Sequence, residues 1–408
     1  MGAPPGHDQW IEPLSAWPGL DSAAWTRWRV VIAEVCAAVL RGHQAPRLAA
    51  SSATDAWTAG IAGFSTGMGP LLGHWLERRT IAADPPITER LLAHLTQSRI
   101  RSQRLMGEAV RVIEALEAAR VPVVVFKGLH TAGYFPERGA RASTDIDLLI
   151  ARRDRPTAEA VLRKLAFTAG PVVDRSRRTW YPAGDQRLHS VELTHADNPW
   201  SVDLHWALTR TRFRALTIRL PEVAPEACPA WEALGVRART LPVPLLIAFL
   251  AIHAVEQLRV SQLVRLVELV LVIRAETASG ALAWPAVDEV LARHDARHFA
   301  YPALRLVERL VPGTVDPAFL RDLEQSSPPR LVRVVASLSP AGDLDPGRWS
   351  VVEPFLWARG PGEWLRVLWR QMWPGFAYGS PSDIGSFYAR RLRRLSRREI
   401  RLRPAPPP

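Results

Sequence analysis

Hydrophobic positions recur every three or four residues from about residue 22 to 119, the spacing that lines apolar side chains along one helical face. "SAAWTRWRVVIAEVCAAVLRG" carries this pattern to Gly42 and "GPLLGHWLERR" continues it. "PPITERLLAHLTQSRIRSQRLMGEAVRVIEALEAAR" predicts one long amphipathic helix after Pro85-Pro86. At Val121 the period changes. "VPVVVF" is a short β-branched run without alternation, as expected of a buried strand. "TDIDLLI" reads as a second strand, and "RPTAEAVLRKLAF", with Pro156 in its first turn, as a helix. Farther on, "HSVELTH" and "WSVDLHW" alternate on either side of "ADNP", which predicts a hairpin. From about residue 211 the pattern returns to helices punctuated by prolines. The chain thus divides into an N-terminal helical segment (1–118), a small mixed α/β unit (119–210) and a C-terminal helical domain (211–408) with a basic tail.

The chemistry is expected in the α/β unit. Strand residues two apart share a face, so Asp145 and Asp147 point together while Ile146 and Leu148 point to the core. Two carboxylates about 4–6 Å apart repel by a few kcal/mol in a protein environment. Either each has its own arginine or a cation joins them. Mg²⁺ prefers oxygen ligands and is commonly held by one or two carboxylates with substrate phosphates. If "ADNP" is a four-residue loop, Glu192 faces Asp203 across the hairpin. Both lie between apolar neighbours and point away from the core, with Asp203 favoured as a third ligand and Glu192 as the alternative. Lys127-Gly128 closes the first strand, where a glycine lets a phosphate approach the backbone and an ammonium offers a point charge. Arg141, four residues ahead of Asp145, is placed to reach the same anion. His205 and His253 read as core or hydrogen-bonded histidines.

Composition sharpens this in three ways. The 408 residues, 48% hydrophobic, suffice for two or three units with a sizeable core. The net charge is +12, and apart from Lys127 and Lys164 every basic side chain is arginine. A lysine beside Gly128 in such a chain hints that a compact ammonium is wanted there. The basicity favours a polyanion as partner: a nucleotide, RNA or an acidic surface. The eight arginines between Arg390 and Arg403, against the single Glu399, give the last helix a face for an acidic partner. Cys36 and Cys228 are too far apart for a CxxC pair, which argues against a zinc ribbon or a disulfide framework and fits a reducing cytoplasm. No basic start leads into an apolar run. In the most apolar stretch, 241–273, Glu256, Arg259, Arg265 and Glu268 break any spanning segment, so no transmembrane helix is expected and a cytoplasmic location is.

"VVVFKGLHTAGYFPERGARASTDIDLLI", followed by "VDLHW", resembles the polymerase-β-like nucleotidyltransferase superfamily. Within it, the likeness is to a bacterial family usually labelled uncharacterised nucleotidyltransferase, some members of which accompany peptide natural-product gene clusters. "GMGPLLGHWL" and "IHAVEQLRVSQLVRLVELVLVI" extend the likeness less specifically. The resemblance implies an α+β fold, a small mixed-sheet nucleotidyltransferase core embedded between two mostly helical segments. It implies an NTP substrate and two Mg²⁺ ions, with Mn²⁺ as a substitute. Asp145 and Asp147 would be the metal-binding pair, Asp203 the third carboxylate that helps activate the acceptor hydroxyl, and Gly128 the glycine of the pattern. Leu129 stands where the superfamily usually has Ser or Gly, which leaves Lys127 and Arg141 to hold the phosphates. The acceptor is open among a peptide, a small molecule and RNA, with His253 and Arg265 expected in the wall of its pocket. Two rival readings remain: a toxin-like tRNA nucleotidyltransferase, and a degenerate nucleotide-binding or interaction protein without turnover.

Overall fold

The structure, a computed structural model, describes residues 16–372 except 174, 185–186, 214, 233–234, 259–261 and 343–348. The first fifteen residues and the arginine-rich tail lie outside the described residues. Helices α1 (Ser22–Leu40), α2 (Ala53–Ser65), α3 (Gly69–Glu77) and α4 (Pro85–Ala118) come first. Asp21 caps α1 by accepting from the Ala23 amide, and Ser52 caps α2 by accepting from that of Asp55. The predicted long helix is α4, starting at Pro85. Its buried positions Ile87, Leu91, Leu95, Leu105, Ala109, Val112 and Leu116 follow the expected helical stripe.

A seven-stranded mixed sheet follows. Its strands are β1 (Val124–Val125), β2 (Asp145–Leu149), β3 (Thr168–Val173), β4 (Arg177–Tyr181), β5 (Ser201–His205), β8 (Ala230–Trp231) and β9 (Ala238–Arg239), with β6 (Thr209–Arg212) and β7 (Leu216–Arg219) forming a separate ribbon. The order across the sheet is β3-β4-β5-β2-β1-β9-β8. Strands β2 and β5 run parallel, and β1 and β4 flank them antiparallel. A one-turn helix α5 (Gly128–Thr131) leaves β1, and α6 (Arg155–Lys164) follows β2 as expected from Pro156.

Two sequence expectations are corrected. "HSVELTH" is not a strand, and β5 pairs instead with β2 and β4, so Thr179 rather than Glu192 sits opposite Asp203. The segment before β5 is held as a loop by Asn198, whose side-chain oxygen accepts from the His189 and Ser190 amides at 2.9 Å. Such local side-chain bonds compete with a ladder. The helical reading from residue 211 is also corrected. The described residues to Arg239 form short strands, with a 3-10 turn at Pro225–Ala227, and α-helices resume with α7 (Val243–Ala254) and α8 (Leu263–Ala278). They continue through α9 (Trp284–Arg293), α10 (Arg297–Leu310), α11 (Pro317–Gln325), α12 (Pro329–Ser337), α13 (Trp349–Trp357) and α14 (Pro361–Met372). The whole is α+β. No helix among the described residues is long and apolar enough to cross a membrane.

One sheet face packs on the C-terminal half of α4 and on α6. There Ile146, Leu148, Val202 and Leu204 join Val112, Leu116 and Leu162 in one apolar cluster. Each of these fully buried side chains contributes about 1.5–3 kcal/mol. This anchors the register of β2 against β5, because a one-residue slip would drive the intervening acids into that core.

Candidate active site

The strand alternation that buries Ile146 and Leu148 turns Asp145 and Asp147 to the opposite face, and likewise turns Asp203 and His205 away from Val202 and Leu204. Asp147 and Asp203 are direct partners across β2 and β5. One ligand atom each from Asp147, Asp203 and His205 lies within 4.8 Å of the others. Asp145 sits two pairs nearer the strand entrance, opposite Ser201, and does not join that compact group, although it feels the charge of Asp147.

Buried Arg101 of α4 sets where both acid strands begin. It donates to the Ser143 carbonyl at 2.8 Å, just before β2, and to the Asn198 and Pro199 carbonyls at 2.6 and 2.7 Å, just before β5. At the other end of the site, Lys127 and Gly128 both have positive φ, +44° and +41°. For a lysine this costs about 1–3 kcal/mol. The bend delivers the Lys127 ammonium to 2.7 Å from Asp147 Oδ1. It also brings Gly128 so close that a Cβ there would meet Asp147 Oδ2 at 3.5 Å. Leu129, in the place of the superfamily's Ser or Gly, is a buried part of the core under the sheet.

The electrostatics separate the three carboxylates. Burial, then the neighbouring Asp147 charge, pushes the Asp145 carboxyl above its ordinary range. Burial also raises Asp147, against the pull of Lys127. Burial opposes the Asp203 charge too, yet Arg177, with Lys127 and the Thr179 hydroxyl, holds that carboxyl down at about 2. Arg177 Nη1 donates to Asp203 Oδ2 at 2.6 Å and Thr179 Oγ1 to Oδ1 at 2.7 Å. Burial, then the Lys127 charge, keeps His205 neutral, with Nε2 3.4 Å from Asp147 Oδ1. Asp147 Oδ2 is fully buried and has no hydrogen-bond partner among the described residues. A buried carboxylate oxygen without a donor is costly unless a cation claims it. The carboxylate oxygens suit a hard divalent ion such as Mg²⁺ or Mn²⁺.

The other expected residues are placed as follows. Arg141 lies near Asp145 and Asp147, but its guanidinium grips Glu268 of α8 through two bonds of 2.8 and 3.2 Å. Glu192 is outside the site and accepts from Trp57 Nε1 at 3.2 Å. His253 contacts Glu256 at 2.9 Å and Arg210 at 2.8 Å, while Arg265 donates to the His253 carbonyl at 3.1 Å. This polar knot sits behind an aromatic layer in which Phe126 meets His205 edge-on and Phe249 meets both Phe126 and His253. Sequence reasoning missed Arg101, Arg177, Thr179 and His205 as parts of the site. Only His205 carried a signal, since it lies two residues beyond Asp203 in an alternating strand.

A strained Lys-Gly bend poised over two same-face aspartates, with a third carboxylate on the adjacent parallel strand, is the arrangement expected of a nucleotidyltransferase. The chain belongs to the family described as uncharacterised nucleotidyltransferase, which matches residues 64–312. No curated protein matches it. Among solved structures, the antibiotic-resistance factor ANT(2'')-Ia, known in solution, is 14% identical, with a TM-score of 0.34 over 48% of this chain and 95% of that one.

Proposed function

We infer that this protein moves a nucleoside monophosphate from an NTP to an acceptor group, with Asp145, Asp147 and Asp203 holding divalent cations. The observation that carries this is the buried, donor-free Asp147 Oδ2 beside Gly128, on a carboxylate that clusters with Asp203 and His205. Two divalent ions bound by these carboxylates would neutralise the charge that develops on the attacking and leaving oxygens. The acceptor oxygen forms its bond to the α-phosphorus as the bond to the β-phosphate bridge breaks, and pyrophosphate leaves. Asp203, held at about 2, is a weak base. Its part is to hold and orient, while the acceptor proton passes to water. Lys127 neutralises Asp147 in the structure. When a cation takes over that charge, the ammonium is free for the triphosphate, beside the open backbone of Gly128.

The reading divides the chain into a catalytic unit around 119–210 and flanking helical segments (1–118 and 211–408), with His253 and Arg265 behind the acceptor side. The test is incubation of the full-length protein with each α-labelled NTP, Mg²⁺ or Mn²⁺, and cell extract. Label is expected on one class of molecule, with pyrophosphate released, and neither with Asp145→Asn. Metal-dependent NTP binding without pyrophosphate release across a wide acceptor screen would support the non-catalytic reading instead.

A further inference from the structure

Two hollows of nucleotide size, about 570 and 590 Å³, lie beyond the ends of β2 and β5, and none of the three proposed catalytic acids lines either one. They share Arg152 and Arg175 in their walls and so lie side by side as one grooved surface. In the first hollow, Arg219 and Arg370 complete a set of four guanidiniums, and no carboxylate lines it. All four arginines are exposed. The floor is one face of the β6–β7 ribbon, where Thr209 pairs with Arg219 and Thr211 with Thr217. The alternate residues, Arg212, Leu216 and Ile218, turn inward and are buried. The ribbon therefore offers the groove only hydroxyls and positive charge. In the second hollow the single acid, Glu159, is already engaged by Arg155, Arg163 and Arg178. There the Arg155 guanidinium lies over the Trp206 ring at 4.0 Å, a flat cationic platform of the kind on which bases stack.

We propose that this groove binds the sugar–phosphate backbone of a single-stranded nucleic acid. Four convergent guanidiniums with threonine hydroxyls match phosphate oxygens, which take bidentate Arg donors and O–H donors. The concave shape suits an unpaired strand, whose bases and backbone can both follow the hollows. Two adjoining nucleotide-sized hollows with an arginine platform in one of them suit consecutive nucleotides better than a lone anion. Joined to the nucleotidyl transfer proposed above, and resting on it for this step alone, the groove makes a nucleic acid the acceptor, reached from the far end of the strands that carry the acids.

Binding is measured by fluorescence anisotropy on the full-length protein, with mixed-sequence RNA and DNA single strands of about 20 nucleotides, and without NTP or divalent ions. Arg152→Ala/Arg219→Ala is expected to weaken binding by about tenfold and to reduce the slope of log affinity against log salt by about 1.4, two phosphate contacts at roughly 0.7 each. Arg321→Ala/Arg333→Ala, which removes the same charge from two exposed positions on α11 and α12, should change little. Equal losses in the two double variants would reduce the effect to net charge and overturn the site. So would binding to anionic phospholipid vesicles or to inorganic triphosphate with none to single strands. Strand binding that survives in Asp145→Asn while transfer is lost supports both readings. Groove-dependent strand binding with no transfer by the unmutated protein to any acceptor counts against the transferase reading alone.

Discussion

Arg177 of β4, paired with His205 of β5, reaches diagonally along the sheet to Asp203, with 2.6 Å between guanidinium nitrogen and carboxylate oxygen. The pair is largely buried, so the charge on Asp203 depends on its partner. Arg177→Met should raise the Asp203 carboxyl from about 2 toward the ordinary range. The Asp203 carboxyl, followed by NMR titration, should then protonate at higher pH, while at pH 5 it stays mostly ionised and turnover there falls no more than at pH 8. Thr179→Val should shift the titration the same way by less. An unmoved Asp203 titration in Arg177→Met would show that Arg177 does not hold this charge.

Lys127 and a divalent cation compete for the same carboxylate, because the ammonium lies 2.7 Å from Asp147 Oδ1. Lys127→Met should therefore tighten Mn²⁺ binding, read by electron paramagnetic resonance, while raising KM for the NTP. These opposite directions separate its role from a general loss of structure, which would weaken both.

Gly73 and Gly107 make opposite predictions for the same substitution. A Cβ on Gly73 would lie 2.3 Å from the Leu91 carbonyl oxygen, so Gly73→Ala must push α3 off α4. The expected loss is about 1–3 kcal/mol or more, read by denaturant unfolding. Gly107 on α4 is exposed and nothing approaches its Cβ position, so Gly107→Ala should gain about 0.5–1 kcal/mol. The same contrast explains why "GMGPLLGHWL" reads as more than an amphipathic helix: its glycines permit close helix contact.

His94 is buried, with Nε2 3.2 Å from the Gly60 carbonyl, and burial pushes its pKa from 6.5 down to about 4. The folded state then binds fewer protons than the unfolded chain between these values, so stability is lost as pH falls from about 6.5 to 4. The shift corresponds to roughly 3 kcal/mol. His130, also held at about 4, acts in the same sense. His94→Asn should be less stable at pH 7.5 but lose less on acidification, measured by urea titrations at both ends of the range.

The legible parts of this molecule were those with local causes. The stripe of α4, the switch of period at Val121, the Pro156 helix start and the same-face placement of Asp145 and Asp147 all follow from side-chain spacing within one element. Asp203 was chosen through a hairpin that does not form, so its pairing with Asp147 comes from a parallel alignment that only the tertiary fold specifies. Strand β4 was missed because "RRTWY" carries charges at positions that the sheet satisfies with acids from elsewhere, Arg177 with Asp203 and Arg178 with Glu159. The Arg101 staple was invisible for the same reason, since its acceptors lie 42 to 98 residues away.

The grip of Arg141 on Glu268 ties the catalytic half of the molecule to a helix more than a hundred residues downstream, and Thr131 donates to the same carboxylate. A fragment ended near residue 210 would keep every acid of the candidate centre yet lose both the carboxylate that binds Arg141 and the helix that covers it. The chemistry of this chain is thus not portable: a minimal working piece has to run beyond Ala278.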